Sequence, residues 1–263
     1  MVAATAGHQA HAAFLHTLRE SDPALAAALH APGVLLRPFT VSPLLGAPRA
    51  RDGQVWLAPA QEYYLRFTVL YPPIYERFMA RFLRADGRPQ IRLGAAQLLV
   101  KEIRTTPGSH PWAGYTTWQE LASAARPERE VTLEFASPTA FGFGQMEWGK
   151  KIVVLPEPHL VFGSLARSWN ALAPAPLQLD AKALATYLQE HAVVKRIERL
   201  KTQMLHYQRS PQVGFVGLVT YGLQAENEIA RLQLNILADF AFYAGVGMKT
   251  TMGMGQCRRV RDT

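Results

Sequence analysis

The sequence predicts an α+β fold in two tandem halves, and three observations lead there. Along the 263 residues, stretches with apolar residues at helical spacing and at alternate positions follow one another in an order that repeats. A polar break, Arg126-Pro127-Glu128-Arg129, divides that order near the middle and sets the halves at 1–126 and 127–263. Hydrophobic residues make up 49% and charged residues 18%, which supports substantial cores and excludes a disordered or fibrous chain.

In the first half, Phe14, Leu15 and Leu18 mark a helix over residues 9–19. Ser21-Asp22-Pro23 starts a second, with Pro23 in the first turn where no amide donor is needed. That short helix carries Leu25, Ala28 and Leu29 and stops at His30-Ala31-Pro32-Gly33. Residues 34–41 and 61–70 read as strands, and Pro72-Pro73 opens a helix bearing Ile74, Phe78, Phe82 and Leu83. Residues 90–104 are again extended, 106–112 are loop, and 117–125 form a short helix.

The second half repeats the plan. Residues 130–141 are a strand and 157–172 a helix, and a further helix at 181–190 leads into a long basic strand at 193–207. Residues 212–224 pair with it through a turn at Arg209-Ser210-Pro211. Residues 227–244 form an amphipathic helix with Asn227 as cap and Leu232, Ile236, Phe240 and Tyr243 along one stripe, and 256–261 close as a strand. Each half thus follows the split β-α-β pattern of ferredoxin-like, RRM-like domains. In the first half no opening strand is visible, because the helix begins within about ten residues of Met1.

The formal net charge of +8 points to a polyanion, either nucleic acid or an anionic membrane face. Membrane attachment is the weaker option. Residues 1–17 carry no Lys, no Arg and no long apolar run, and the apolar stretch 234–247 is short and interrupted by Asn235 and Asp239. A single cysteine, Cys257, excludes an intrachain disulfide and fits a reducing cytoplasm; it reads as filler on the last strand.

The most informative segment is Gly245-Val-Gly-Met-Lys-Thr-Thr-Met-Gly-Met-Gly255. Its glycines allow backbone conformations closed to other residues, and exposed amides in such a loop form a nest for an anion. Lys249 adds charge and Thr250 and Thr251 add hydroxyls. A nucleotide-triphosphate loop requires Gly-Lys-Ser/Thr between a strand and a helix, whereas here a helix precedes and a strand follows. The dinucleotide fingerprint fails for the same reason. A bare helix-to-strand connection remains the plain alternative.

The spacing of Gly245, Gly247, Gly253 and Gly255 resembles the C-terminal glycine-rich loop of the CRISPR-associated repeat-processing endoribonucleases of the RAMP superfamily. The preceding Phe-Ala-Phe-Tyr-Ala helix end, Gly214-Phe215-x-Gly217 and residues 154–170 extend the resemblance over most of the second half. His8-Gln9, Asp22-Pro23, Leu29-His30 and Phe39-Thr40 carry it more thinly through the first. The resemblance implies a metal-independent endoribonuclease in the cytoplasm that needs no cofactor. Its partner would be CRISPR repeat RNA, with other CRISPR-associated proteins as further candidates and a monomer or homodimer as assembly. Some members of the superfamily bind RNA without cutting it, so a binding-only subunit of a ribonucleoprotein is the alternative. A nucleotide-binding enzyme is the more distant one.

Metal-free RNA cleavage needs a proton carrier that works near neutral pH and a cation for the charge growing on the phosphate. His30, at a helix end beside a Pro-Gly loop, is the first candidate, and the family's usual catalytic histidine stands in this context. A histidine stabilised by a helix C-terminus is the plain reading. Arg37 lies where some relatives carry a basic residue that steadies the phosphate. The helix position of an assisting tyrosine in some relatives falls on Leu15, so the adjacent His16 takes that role and His11 is expected to be half-buried. Phosphate contacts are assigned to the loop and to Lys195, Arg199 and Lys201, which share one face of the long strand at period two; a solvated, charge-protected edge explains them equally well. Trp112, Tyr115 and Trp118 suit either base stacking or core packing. The histidines 8, 11, 16 and 30 lack the His-x-x-x-His pairing and cysteine partners of a zinc site, so no metal is expected.

Overall fold

The structure is a computed structural model that describes all residues outside 4–5, 32, 34–35, 49–52, 84–88, 208–210, 225 and 262–263. It divides into two compact units: Met1–Tyr115 with Leu205–Ser210 and Thr251–Gly253, and Thr116–Met204 with Pro211–Thr250 and Met254–Thr263.

The first unit opens with β1 (Val2–Ala3), followed by helices α1 (Gly7–Ser21) and α2 (Pro23–His30). Asp22 joins the helices: its N–H bonds the Leu18 carbonyl at 2.8 Å, and its side chain accepts from the Leu25 N–H at 2.9 Å. One residue thereby ends α1 and caps α2, with Pro23 behind it where a missing donor costs nothing. Next come β2 (Phe39–Val41), β3 (Gln54–Val55), β4 (Phe67–Val69), α3 (Pro72–Leu83), and the hairpin β5 (Gln90–Leu93) and β6 (Ala96–Leu99). β1 pairs with β3, and β2 with β4, all antiparallel. The opening strand that the sequence did not reveal therefore exists, as two residues whose partner lies about fifty positions away. The strand expected at 34–41 is confined to 39–41, with 34 and 35 outside the described residues, and that expected at 61–70 to 67–69. Pro38 and Pro43 flank β2 and offer no N–H to prolong the ladder. The core joins α1, β2 and α3 through stacked rings: Phe14 lies 4.3 Å from Phe39 and 4.8 Å from Phe78, centroid to centroid.

The second unit begins with α4 (Trp118–Ala124), whose Thr117 and Glu120 form a reciprocal capping box. It continues with β7 (Glu130–Thr139), β8 (Phe141–Met146), β9 (Gly149–Val153), α5 (Pro158–Leu172), α6 (Ala181–His191), β10 (Ala192–His206), β11 (Pro211–Leu223), α7 (Glu228–Ala244) and β12 (Cys257–Val260). The four long strands lie in the order β10-β11-β7-β12. Two interlocked β-α-β units, β7-α5-β10 and β11-α7-β12, give this order, the ferredoxin-like arrangement. Alternate residues of β7, namely Val131, Leu133 and Phe135, are fully buried, as period two requires. Trp169 of α5 and Phe240 of α7 meet edge to face at 5.1 Å, with Trp118 of α4 against both. Truncating Trp169 or Phe240 would cost about 3–5 kcal/mol. The hairpin β8–β9 is inserted between β7 and α5 and was not foreseen. The turn expected at 209–211 lies mostly outside the described residues, which include only Pro211 of it.

Candidate active site

α2 places His30 as its last residue, with the side chain exposed. Arg37 donates from Nε to the Leu29 carbonyl at 2.8 Å, so the guanidinium caps the negative end of the same helix. The two residues that the sequence singled out thus meet at one helix terminus.

His11 joins them. The Thr251 carbonyl, 2.9 Å from His11 Nδ1, can only accept, so Nδ1 carries the hydrogen and Nε2 holds the lone pair in the neutral ring. The ring lies 5.5 Å from Phe39, centroid to centroid. Burial, and next the charges of Arg37, His8 and His30, hold its pKa below the ordinary 6.5, against the opposing effect of the Thr251 hydrogen bond. His11 therefore favours the neutral form, that of a base. The residue is half-buried, not enclosed.

His16 is placed differently from the sequence reading. It is exposed and its Nε2 stands 3.6 Å from Glu20, which also pairs with Arg81. Five residues at about 100° each turn it roughly 140° around α1 from His11. Leu15 occupies the slot that points to His16, whereas the partial burial expected of His11 is what depresses its pKa.

The glycine loop is tightly folded. Gly247, at φ 81°, has no space for a side chain, since an added Cβ would lie 2.4 Å from the Ala140 carbonyl oxygen. At Gly255 the same atom would lie 2.2 Å from the Val246 oxygen. The Val246, Met248 and Gly255 amides bond the carbonyls of Gly255, Ala140 and Pro138, and the Gly247 amide bonds Ser164 Oγ at 3.2 Å. The glycines thus serve close backbone packing, and their amides do not form the open cradle expected of them. What remains outward is the middle of the loop. Lys249 takes φ 57° and leads into a 3-10 turn at Thr250–Met252, all four residues being half-buried. Gly253 and Thr251 belong with the first unit, where an added Cβ on Gly253 would lie 3.0 Å from Gly7 Cα.

Lys249 is half-buried, and burial together with the charge of Lys150 lowers its pKa. Lys150, on β9, acts on Lys249 and is a candidate the sequence offers only through the pair Lys150-Lys151. The same hairpin holds Lys151 Nζ 5.5 Å from the Phe143 ring centroid and exposes Trp148 to 73%. Two cations held near each other gain when an anion lies between them.

On β10, Lys195 is paired with Glu130, and Arg196 with Glu198 at 2.9 Å. Arg199 takes φ 53° opposite an irregularity in β11 between Phe215 and Gly217. Lys195 and Arg199 are exposed. Lys201 is exposed. Trp118 packs in the core, Trp112 lies under Arg66 with the guanidinium carbon 5.5 Å from the ring centroid, and Tyr115 is exposed. Cys257 is buried, which pushes its thiol pKa up. Among the described residues, no three His, Cys, Asp or Glu side chains lie close enough to hold a metal ion, and no helix is long and apolar enough to cross a membrane.

By fold, the chain is in the class of tandem ferredoxin-like proteins; a solved RAMP protein of 14% identity shares the architecture at a TM-score of 0.58. The CRISPR Cas6 N-terminal domain family matches residues 1–123 and the CRISPR-associated endoribonuclease Cas6 family matches 133–257, and the chain belongs to the Cas6 family. A Thermus thermophilus Cas6 (TTHB231), solved as a product complex, superposes with a TM-score of 0.81 at 28% identity, covering 97% of this chain and 94% of that one. The CRISPR-associated endoribonuclease Cas6 of Streptococcus thermophilus is 26% identical over 52% of this chain, and that of Mycobacterium tuberculosis 30% identical over 51%. These matches span 53% and 40% of the relatives' own lengths.

Proposed function

We propose that this chain is an endoribonuclease that binds CRISPR repeat RNA and cuts it at a fixed position. Attack by the 2′-hydroxyl on the adjacent phosphate would leave a 2′,3′-cyclic phosphate and a 5′-hydroxyl, with no metal required. The observation that carries this is the imidazole of His11, kept neutral, fixed in one tautomer and grouped with His30 and Arg37. In this reading His11 Nε2 takes the proton of the 2′-hydroxyl, and the exposed His30 delivers one to the departing 5′-oxygen. Arg37, whose Nη atoms bond no described residue, offsets charge on the phosphate. Lys249 and Lys150 hold the RNA backbone, Lys201 and Arg199 contact phosphates further along, and Trp148 offers a surface for a base. His16 has no part in this chemistry.

Labelled repeat RNA incubated with the protein and EDTA tests the reading. Cleavage at one position with a cyclic-phosphate end supports it. Binding without cleavage would favour the non-catalytic RNA-binding role.

A further inference from the structure

The tip of the glycine loop is held by side chains as well as by glycine packing. Tyr207, just past β10, donates its hydroxyl to the Met252 carbonyl at 2.8 Å. That carbonyl is one residue beyond the Thr251 carbonyl bonded by His11. An added Cβ on Gly7, in the first turn of α1, would lie 2.0 Å from the Met252 oxygen, so the tip rests directly on the helix that carries His11. All of these residues belong to the first unit. Because peptide units are planar and trans, two fixed donors that orient carbonyls 251 and 252 also orient the N–H groups of Met252 and Gly253. Burial holds the Tyr207 phenol well above its ordinary 10.0, so it remains a donor across the working pH range.

We propose that Tyr207 is a positioning residue for RNA cleavage: through Met252 it fixes the loop tip, and with it the Thr251 carbonyl that sets the tautomer of His11. Without the hydroxyl the two peptide units can rotate, and the imidazole loses the fixed acceptor that keeps its lone pair on Nε2. RNA affinity, spread over many phosphate contacts, does not depend on this one bond. The inference rests on the endoribonuclease reading above.

The test is Tyr207→Phe in the full chain, with cleavage of the repeat RNA measured in single turnover at saturating protein. Binding is measured on the same RNA carrying a 2′-deoxy group at the scissile nucleotide, and melting temperature is followed in parallel. One hydrogen bond corresponds to a loss of about 3–10-fold in the saturating rate, with Kd constant within about twofold. Gly7→Ala displaces the tip from its other side, at a cost in melting temperature because the Met252 carbonyl it meets is backbone, and should also lower the saturating rate with Kd retained; it is the second probe of the tip if the phenylalanine variant fails to fold. A wild-type saturating rate in Tyr207→Phe overturns the assignment, whether or not the melting temperature or affinity falls. Failure of the wild-type protein to cut would instead remove the endoribonuclease reading on which the inference rests.

Discussion

Arg37 and Leu29 are linked by a 2.8 Å hydrogen bond from the guanidinium Nε to the main-chain carbonyl one residue before His30. The bond gives Arg37 two duties, since the group that would face the phosphate also ends the helix that presents the histidine.

Arg37→Ala should therefore lower both stability and cleavage. Losing a hydrogen bond from a charged donor costs about 1.5 kcal/mol at a half-exposed site. Arg37→Lys keeps the charge without the planar fork, so it should retain RNA affinity while cleaving more slowly than wild type. Denaturant unfolding and single-turnover cleavage, measured on both variants, check this. Equal cleavage by all three proteins would leave Arg37 as a helix cap alone.

His11 makes stability depend on pH with a definite sign. Its folded pKa lies below 6.5, so the folded protein binds fewer protons at this site than the unfolded chain does. The resulting stability is complete above 6.5 and is lost as pH falls from there through the folded value. His11→Asn keeps an N–H donor for the Thr251 carbonyl but removes the titration. Its melting temperature should fall less than that of wild type between about pH 8 and pH 5, while cleavage is lost at every pH. Parallel melting curves with the same acid dependence would remove His11 from the titrating groups that matter.

Lys249 and Lys150 should act on one phosphate. Each single change to Gln should weaken RNA binding and flatten the dependence of log Kd on log salt by about 0.7, the value for one contact with a single strand. Because the two share a ligand, the double variant should lose less than the sum of the singles. Fluorescence anisotropy at several salt concentrations measures this. Additive losses would place the two lysines on separate phosphates.

Gly247 is constrained from two directions, by φ 81° and by the Ala140 carbonyl against its α-carbon. Gly247→Ala should destabilise the second unit by more than about 1 kcal/mol, because the Ala140 carbonyl is backbone and cannot swing aside. An unchanged unfolding midpoint would contradict the packing role assigned to the loop glycines.

Much of this architecture was legible in the sequence where one strong local period sufficed. The Asn227 cap of α7 with Ile236 and Phe240 on its buried face, the Asp22-Pro23 start of α2 and the basic strand β10 are such cases. His30 and Arg37 were legible as candidates because a helix stop and a strand start put them near one turn. The two-residue β1 was not, since its pairing with Val55 and Gln54 is a long-range contact that no local pattern encodes. The hairpin β8–β9 was hidden by Gly142, Gly144 and Gly149, which weaken the strand signal. His11 was undervalued for a similar reason: its partner Thr251 is 240 positions away, and helical periodicity registers only that the ring is half-buried.

The most direct measurement compares His30→Ala with wild type on one labelled repeat RNA, with EDTA present, recording single-turnover rate and Kd together. The expected rate is lower by a factor on the order of 10²–10⁴ with affinity retained, since the imidazole transfers a proton and contributes little to holding RNA. Cleavage by His30→Ala at the wild-type rate would contradict that expectation.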